Sequence, residues 1–182
     1  HETVLEIHLH SLIHNLNFFR SHLSPGTKVM AMVKAFSYGS GSFEIANVLQ
    51  FHRVDYLAVA YADEGVELRK AGITLPIMVM NPEEQSFDSM LKHHLEPEIY
   101  SFRILNQFSG FLKQSLVTEP FFIHLKIDTG MHRLGFSVDE IDELIFRLKK
   151  EPRISIRSVF SHLSATDEPL QDGFTRWQIE QF

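Results

Sequence analysis

The sequence has no cysteine among its 182 residues, so a disulfide framework, a thiolate zinc site and a cysteine nucleophile are all excluded. That absence suits a reducing, cytoplasmic setting. No apolar run reaches the roughly 18 to 20 residues a membrane helix needs, and no basic-then-apolar leader opens the chain. Basic residues are the minority, 17 against 23 acidic, for a net charge of −6, which argues against a nucleic acid backbone or an anionic membrane as the main partner. No Ser/Gly-rich linker and no second composition regime breaks the chain. What remains is a small-molecule ligand, with 44% hydrophobic residues to build a sizeable core. His1 stands where an initiator Met is expected, and the chain stops inside the helical pattern of residues 177–182. It therefore reads as an excised piece: one domain, or part of a larger one.

Apolar runs rich in Val, Ile and Met alternate with helical patterns, the signal for parallel strands joined by crossover helices. An opening segment, 3–9, precedes a helix pattern over 11–22 that sets Leu12, Leu16 and Phe19 on one face. Residues 28–34 (KVMAMVK) read as a strand buried on both sides, with a returning helix at 43–51. The same unit recurs as strand 56–61 with helix 62–71, ended by Gly72, then strand 76–80 with helix 83–94. A weak strand at 98–100 precedes helix 104–113, strand 121–127 precedes helix 138–150, and strand 154–163 precedes helix 173–182. About six βα units, the opening one set aside, fit a TIM-type (β/α)8 barrel of the α/β class that stops about two units short. An open doubly wound sheet of six strands fits the same periodicity without a missing piece.

Working residues of such a barrel lie at the C-terminal ends of strands and in the loops that follow. Three segments put polar groups there. Lys34 ends an apolar strand, where desolvation favours the neutral amine that acts as a nucleophile or base. The following 35–41 (AFSYGSG) can turn backbone N–H groups and hydroxyls, Tyr38 among them, towards an anion such as a phosphate. Equally, the lysine can snorkel to solvent and the glycines can serve only the turn. In 126–136 (KIDTGMHRLGF), Arg133 offers a planar fork for a carboxylate or phenolate, and Lys126, inside the strand, needs a partner. Alternatively, an Asp128–Arg133 pair merely ties that loop down. In 161–168 (SHLSATDE), His162 offers both a donor and an acceptor, although a lone histidine is commonly structural. His8, His10, His14 and His22 are too scattered for a metal site, and none is expected; His93 and His94 read as solvated. Glu64, Glu67 and the acids at 139, 140, 142 and 143 read as solvated helix faces or first-turn charges.

Together and in this order, the three segments resemble the N-terminal barrel domain of the alanine racemases, fold-type III pyridoxal phosphate enzymes. VKAFSYGSG at 33–41 resembles the family's cofactor-lysine signature, with Phe36 and Ser37 where Asn-Ala is common. KIDTGMHRLG at 126–135 resembles the second signature, with His132 where glycine is usual, and SHLSATDE at 161–168 resembles the third. The similarity runs from about Thr3 to Phe182 and is most specific at the lysine. Thr3 to Ile7, opening without a Met, together with residues 31–41, further resembles racemase domains fused behind a Mur ligase domain.

The resemblance implies interconversion of L- and D-alanine for peptidoglycan synthesis by a cytoplasmic isomerase. Lys34 would hold pyridoxal 5'-phosphate covalently and act as one of two bases; Tyr38 would bond the phosphate. Arg133 would face the cofactor phenolic oxygen and the substrate carboxylate, His162 would lie against the pyridine ring, and Lys126 matches a lysine that some members carbamylate to brace the arginine. It also implies a homodimer whose partner supplies the opposite-face tyrosine from a C-terminal β domain. Residues 1–182 read as the incomplete barrel domain without that β domain, so the chain is expected to be inactive by itself. Three other readings stay open: a non-catalytic pyridoxal phosphate-binding barrel protein, a related amino-acid racemase or decarboxylase, and an unrelated α/β protein.

Overall fold

A computed structural model describes residues 3–182. His1, and with it the reading of the chain's first residue, lies outside the described residues. Two compact units make up the chain: His1–Asn81 with Ser89–Leu95, and Pro82–Asp88 with Glu96–Phe182.

The first unit runs α1 (Leu9–Ser21), β1 (Met30–Met32), a single helical turn α2 (Lys34–Tyr38), α3 (Ser42–Phe51), β2 (Tyr56–Val59), α4 (Ala62–Lys70) and β3 (Ile77–Val79). β1 lies parallel to β2, with Met30 opposite Tyr56, and β2 parallel to β3, with Leu57 opposite Ile77. Leu57, Ala58, Val59, Ile77 and Val79 are sealed from solvent, as a strand covered on both faces requires. Ile45, Ala46, Leu49 and Leu68 give the helices their inner faces. Gly72 stops α4 with φ +93°, a left-handed C-cap that glycine adopts without a Cβ penalty. Two arginines then tie helix ends down. Arg69 donates to the carbonyls of Ile73, Leu75 and His93 at 2.6–3.0 Å, and Arg20 to those of His52 and Arg53 at 2.7 Å.

α5 (Phe87–Lys92) and β4 (Leu95–Ile99) carry the chain between the units. The second unit continues with α6 (Phe102–Gln114), β5 (Phe121–Lys126), α7 (Ile141–Lys149), β6 (Ile154–Phe160) and α8 (Asp172–Gln181). β4 and β5, and β5 and β6, are again parallel. α6 starts at Ser101, whose hydroxyl accepts the Ile104 N–H at 3.4 Å, and buries Ile104, Leu105, Phe108 and Leu112. Each such burial is worth about 1.5–3 kcal/mol. Phe108 packs edge-on against Phe87 and Phe121. A bulge between Ile123 and His124 makes Arg157 the extra residue of β6 and lays its guanidinium over the Phe122 ring, 3.4 Å from the centroid.

The expected order of βα units is therefore present, with these corrections. Residues 3–8 form no strand; Val4 and Leu5 are more than 70% exposed, because an apolar run becomes a strand only where another strand pairs with it. Phe19, expected on the inner face of α1, is exposed, while Leu16 is buried. β1 is three residues long, and Met30 at its start is half exposed, so the lysine strand is not buried on both sides. β4 is not weak: all five of its residues are buried, Glu96 and Glu98 included. Its acids hide an inner strand from a hydropathy reading, and each has a basic partner on β5.

Candidate active site

Only Val33 separates Lys34 from the end of β1; Lys34 is half-buried, and its amine makes no hydrogen bond or ion pair among the described residues. The four residues after it, Ala35, Phe36, Ser37 and Tyr38, have φ of +51° to +56°. α2 is thus a turn of left-handed helix, closed by Ser37 N–H donating to Val33 O and Gly41 N–H to Phe36 O, both at 3.1 Å. Each such non-glycine residue costs roughly 1–2 kcal/mol, and strain of this kind persists where surrounding contacts over-determine it. One contact is the Glu64 carboxylate. Its Oε1 accepts the Ala35 N–H at 2.6 Å, and its Oε2 accepts those of Ala60 and Tyr61 at 2.7 and 3.1 Å. Glu64 is a first-turn charge, as expected, but not a solvated one: it closes a capping box on α4 and reaches 29 residues back to the lysine turn. Ser37 is buried, with a hydroxyl that lacks a partner among the described residues, and Tyr38 presents its ring to solvent, 67% exposed.

In the second unit, Lys126 ends β5, and its loop closes back on the strand. Asp128 N–H donates to Phe136 O at 2.8 Å and Phe136 N–H to Lys126 O at 2.9 Å. Gly135 makes the closure possible: at φ +131°, a Cβ there would stand 2.5 Å from the Asp128 nitrogen. Inside the loop, the Asp128 carboxylate accepts the N–H groups of Gly130 and His132 at 2.9 and 3.1 Å. Partial burial pushes that carboxyl up, but these amides and the His132 charge outweigh it and hold it below its ordinary value. His132 itself sits at φ +54°, a left-handed conformation that explains a preference for glycine at this position. Asp128 therefore ties the loop down without Arg133. The alternative of an Asp128–Arg133 pair is overturned: Arg133 is exposed, and its guanidinium has no hydrogen bond or ion pair among the described residues.

Lys126 is buried with its Nζ 3.3 Å from Glu98 Oε1. Burial pushes the Glu98 carboxyl above its ordinary range, against the opposing pull of Lys126 and Arg133. One step below on the same strands, His124 Nε2 meets Glu96 Oε2 at 2.8 Å and Nδ1 meets Ser158 Oγ at 2.7 Å. The third segment is held from two sides. Thr129 and Ser161 share a hydroxyl hydrogen bond of 2.7 Å, and fully buried Gln178 on α8 donates to His162 O while accepting the Ser164 N–H. His162 itself is exposed. Glu98 and Gln178 went unnoticed in the sequence because each is a lone polar residue without a motif.

Each unit thus holds groups that fit a phosphorylated, carbonyl-bearing cofactor. The first offers an unpaired amine, an exposed phenol and an unsatisfied hydroxyl; the second offers an unpaired guanidinium and an exposed imidazole. An apolar groove of about 750 Å³ in the second unit, lined by Leu125, Ile141, Ile156 and Phe182 among others, includes none of the candidate residues. Among the described residues, no group of three or more His, Asp or Glu side chains is placed to hold a metal ion. Nor is any helix long and apolar enough to cross a membrane.

Comparison with known proteins adds an independent line. The family model for the alanine racemase N-terminal domain matches residues 7–182. The alanine racemase of Clostridium tetani is 37% identical over 181 residues, 97% of this chain and 45% of that protein. An amino-acid racemase of Enterococcus faecalis is 38% identical over 98% of the chain and 24% of its own length. Among solved structures, alanine racemase from Clostridium difficile 630 aligns with a TM-score of 0.87 at 34% identity, covering 95% of this chain and 45% of that one. The six βα units accordingly belong to the barrel class rather than to an open doubly wound sheet. The chain spans less than half the length of these relatives, and over nearly all of its own length it belongs to the alanine racemase N-terminal domain family.

Proposed function

We propose that these residues form the cofactor-binding part of a cytoplasmic, pyridoxal phosphate-dependent racemase that interconverts L- and D-alanine for peptidoglycan synthesis. The observation that carries the reading is Lys34: an amine without a partner among the described residues, just past a strand end, followed by a strained turn, within the span the family model matches. Pyridoxal phosphate, when bound, supplies the electron sink that lets an α-proton leave. Lys34 anchors it through the amine and then moves the α-proton on one face of the substrate. The Tyr38 phenol would donate to the phosphate, and Arg133 would face the substrate carboxylate and the cofactor phenolic oxygen. His162 lies against the pyridine ring. Lys126 braces Arg133 and is the position for carbamylation. The second base comes from a partner subunit in a homodimer, through a β domain outside these 182 residues.

Exchange of the alanine α-proton for deuterium, followed by NMR in the full-length protein, tests this reading. Lys34→Ala should lower the exchange by at least about a thousandfold, since it removes anchor and base together. A variant that exchanges at the unaltered rate refutes the assignment. A second reading, a racemase of another small amino acid, is favoured by the Enterococcus faecalis amino-acid racemase at 38% identity. Another small amino acid competing better than alanine in the same assay would support it.

A further inference from the structure

We infer that Glu64 is a positioning residue for Lys34, an inference that rests on the cofactor-anchoring reading of that lysine. One carboxylate accepts three backbone N–H groups, and the shortest of these bonds, 2.6 Å, goes to Ala35, the residue directly after Lys34. A closed capping box needs only the bonds at the helix start. Here Oε2 makes them, at Ala60 and Tyr61, which leaves Oε1 for the lysine turn.

The turn needs such a tether. Four consecutive non-glycine residues in the left-handed region cost enough that an isolated segment would relax towards right-handed or extended backbone. Relaxation would rotate the Lys34 Cα–Cβ bond, and with it the direction in which the amine leaves the strand. Hydrogen bonds within the turn, such as Gly39 N–H to Ala35 O at 3.1 Å, form in any closed turn and do not anchor it to the strands. The bond from Ala35 to Glu64 does: α4 follows β2, and β2 pairs with β1, which ends two residues before Lys34. A charged acceptor with a short bond also makes this one of the stronger kinds of tether.

Glu64→Gln tests the inference. Glutamine has nearly the same shape but a single acceptor oxygen, so it can keep the Ala35 bond or the helix-start bonds, but not both. Glu140→Gln is the control. Glu140 closes the equivalent capping box on the second unit, accepting the Ser137 N–H at 2.8 Å, and touches no candidate residue. Two quantities are read on the full-length protein: deuterium exchange at the Ala35 amide without cofactor, and the fraction of pyridoxal phosphate fixed on Lys34 by borohydride at a limiting cofactor concentration. The loss of one bond to a charged group predicts exchange about tenfold faster and fixation about tenfold lower in Glu64→Gln, with both unchanged in Glu140→Gln. Unchanged Ala35 exchange in Glu64→Gln, or an equal loss of fixation in the control, overturns the inference. Absence of fixation on Lys34 in the unaltered protein would instead refute the cofactor reading, and Ala35 exchange would still decide the tether.

Discussion

At Asp128, one carboxylate holds its loop through backbone amides and not through a salt bridge to Arg133. Its two amide hydrogen bonds and the charge of His132 keep its folded-state pKa below the unfolded value. The stability this confers is fully present above the unfolded value and is lost as pH falls through the lower folded value. Asp128→Ala should therefore cost about 1–2 kcal/mol at neutral pH, and its gap to the unaltered protein should close in thermal melts taken down to about pH 3. A gap that stays constant with pH would mean that the carboxylate charge plays no part. Arg133 is thereby left exposed, with no hydrogen bond or ion pair among the described residues. Residues of this kind divide by how the sequence shows them. Lys34, Tyr38, Arg133 and His162 are proposed from the sequence because they stand in motifs at strand ends. Glu64 is not, because one first-turn glutamate on a helix looks like any other until the fold brings Ala35 to it.

Among the elements, β4 departs most from its sequence. Leu95–Ile99 contains two glutamates and a proline in five residues and is nonetheless wholly buried. Hydropathy cannot show this, because the compensation lies on another strand, where His124 and Lys126 face Glu96 and Glu98. Breaking such a buried pair leaves an unmatched charge, whereas replacing both partners by apolar groups is close to neutral. Glu98→Ala should thus lower stability by about 3–5 kcal/mol, and the double replacement Glu98→Met with Lys126→Met by much less. Urea unfolding of the two proteins checks this, and an equally large loss in the double variant would show that the pair is not the source of the cost. The helices other than α2, and β2, β3, β5 and β6, were legible to within a few residues, since strong apolar periodicity sets where they lie and only the pairing trims their ends; α2, in a segment read as a loop, is a left-handed turn that no apolar period marks. The opening segment failed for the converse reason. Residues 3–8 carry an apolar pattern, but no strand pairs with them.

For the whole molecule, periodicity alone left a barrel and an open sheet equally possible, because βα alternation is common to both. The choice came from the resemblance and from the 0.87 TM-score over 95% of the chain, not from any feature that spacing could express. The proposed site residues are shared out between the two compact units: Lys34, Tyr38 and Glu64 belong to the first, and Lys126, Arg133 and His162 to the second. In each unit a carboxylate bonds the backbone beside a proposed site residue, Glu64 at Ala35 in one and Asp128 at Gly130 and His132 in the other. The most direct measurement is to incubate the protein with pyridoxal phosphate, record absorbance near about 420 nm, reduce with borohydride and map the modified peptide; it reads the lysine–cofactor linkage itself. An absorbing species fixed on Lys34 and lost in Lys34→Ala is the expected result. Cofactor fixed on other lysines, or none fixed in a protein that circular dichroism shows to be folded, would contradict the assignment of Lys34 as the anchor.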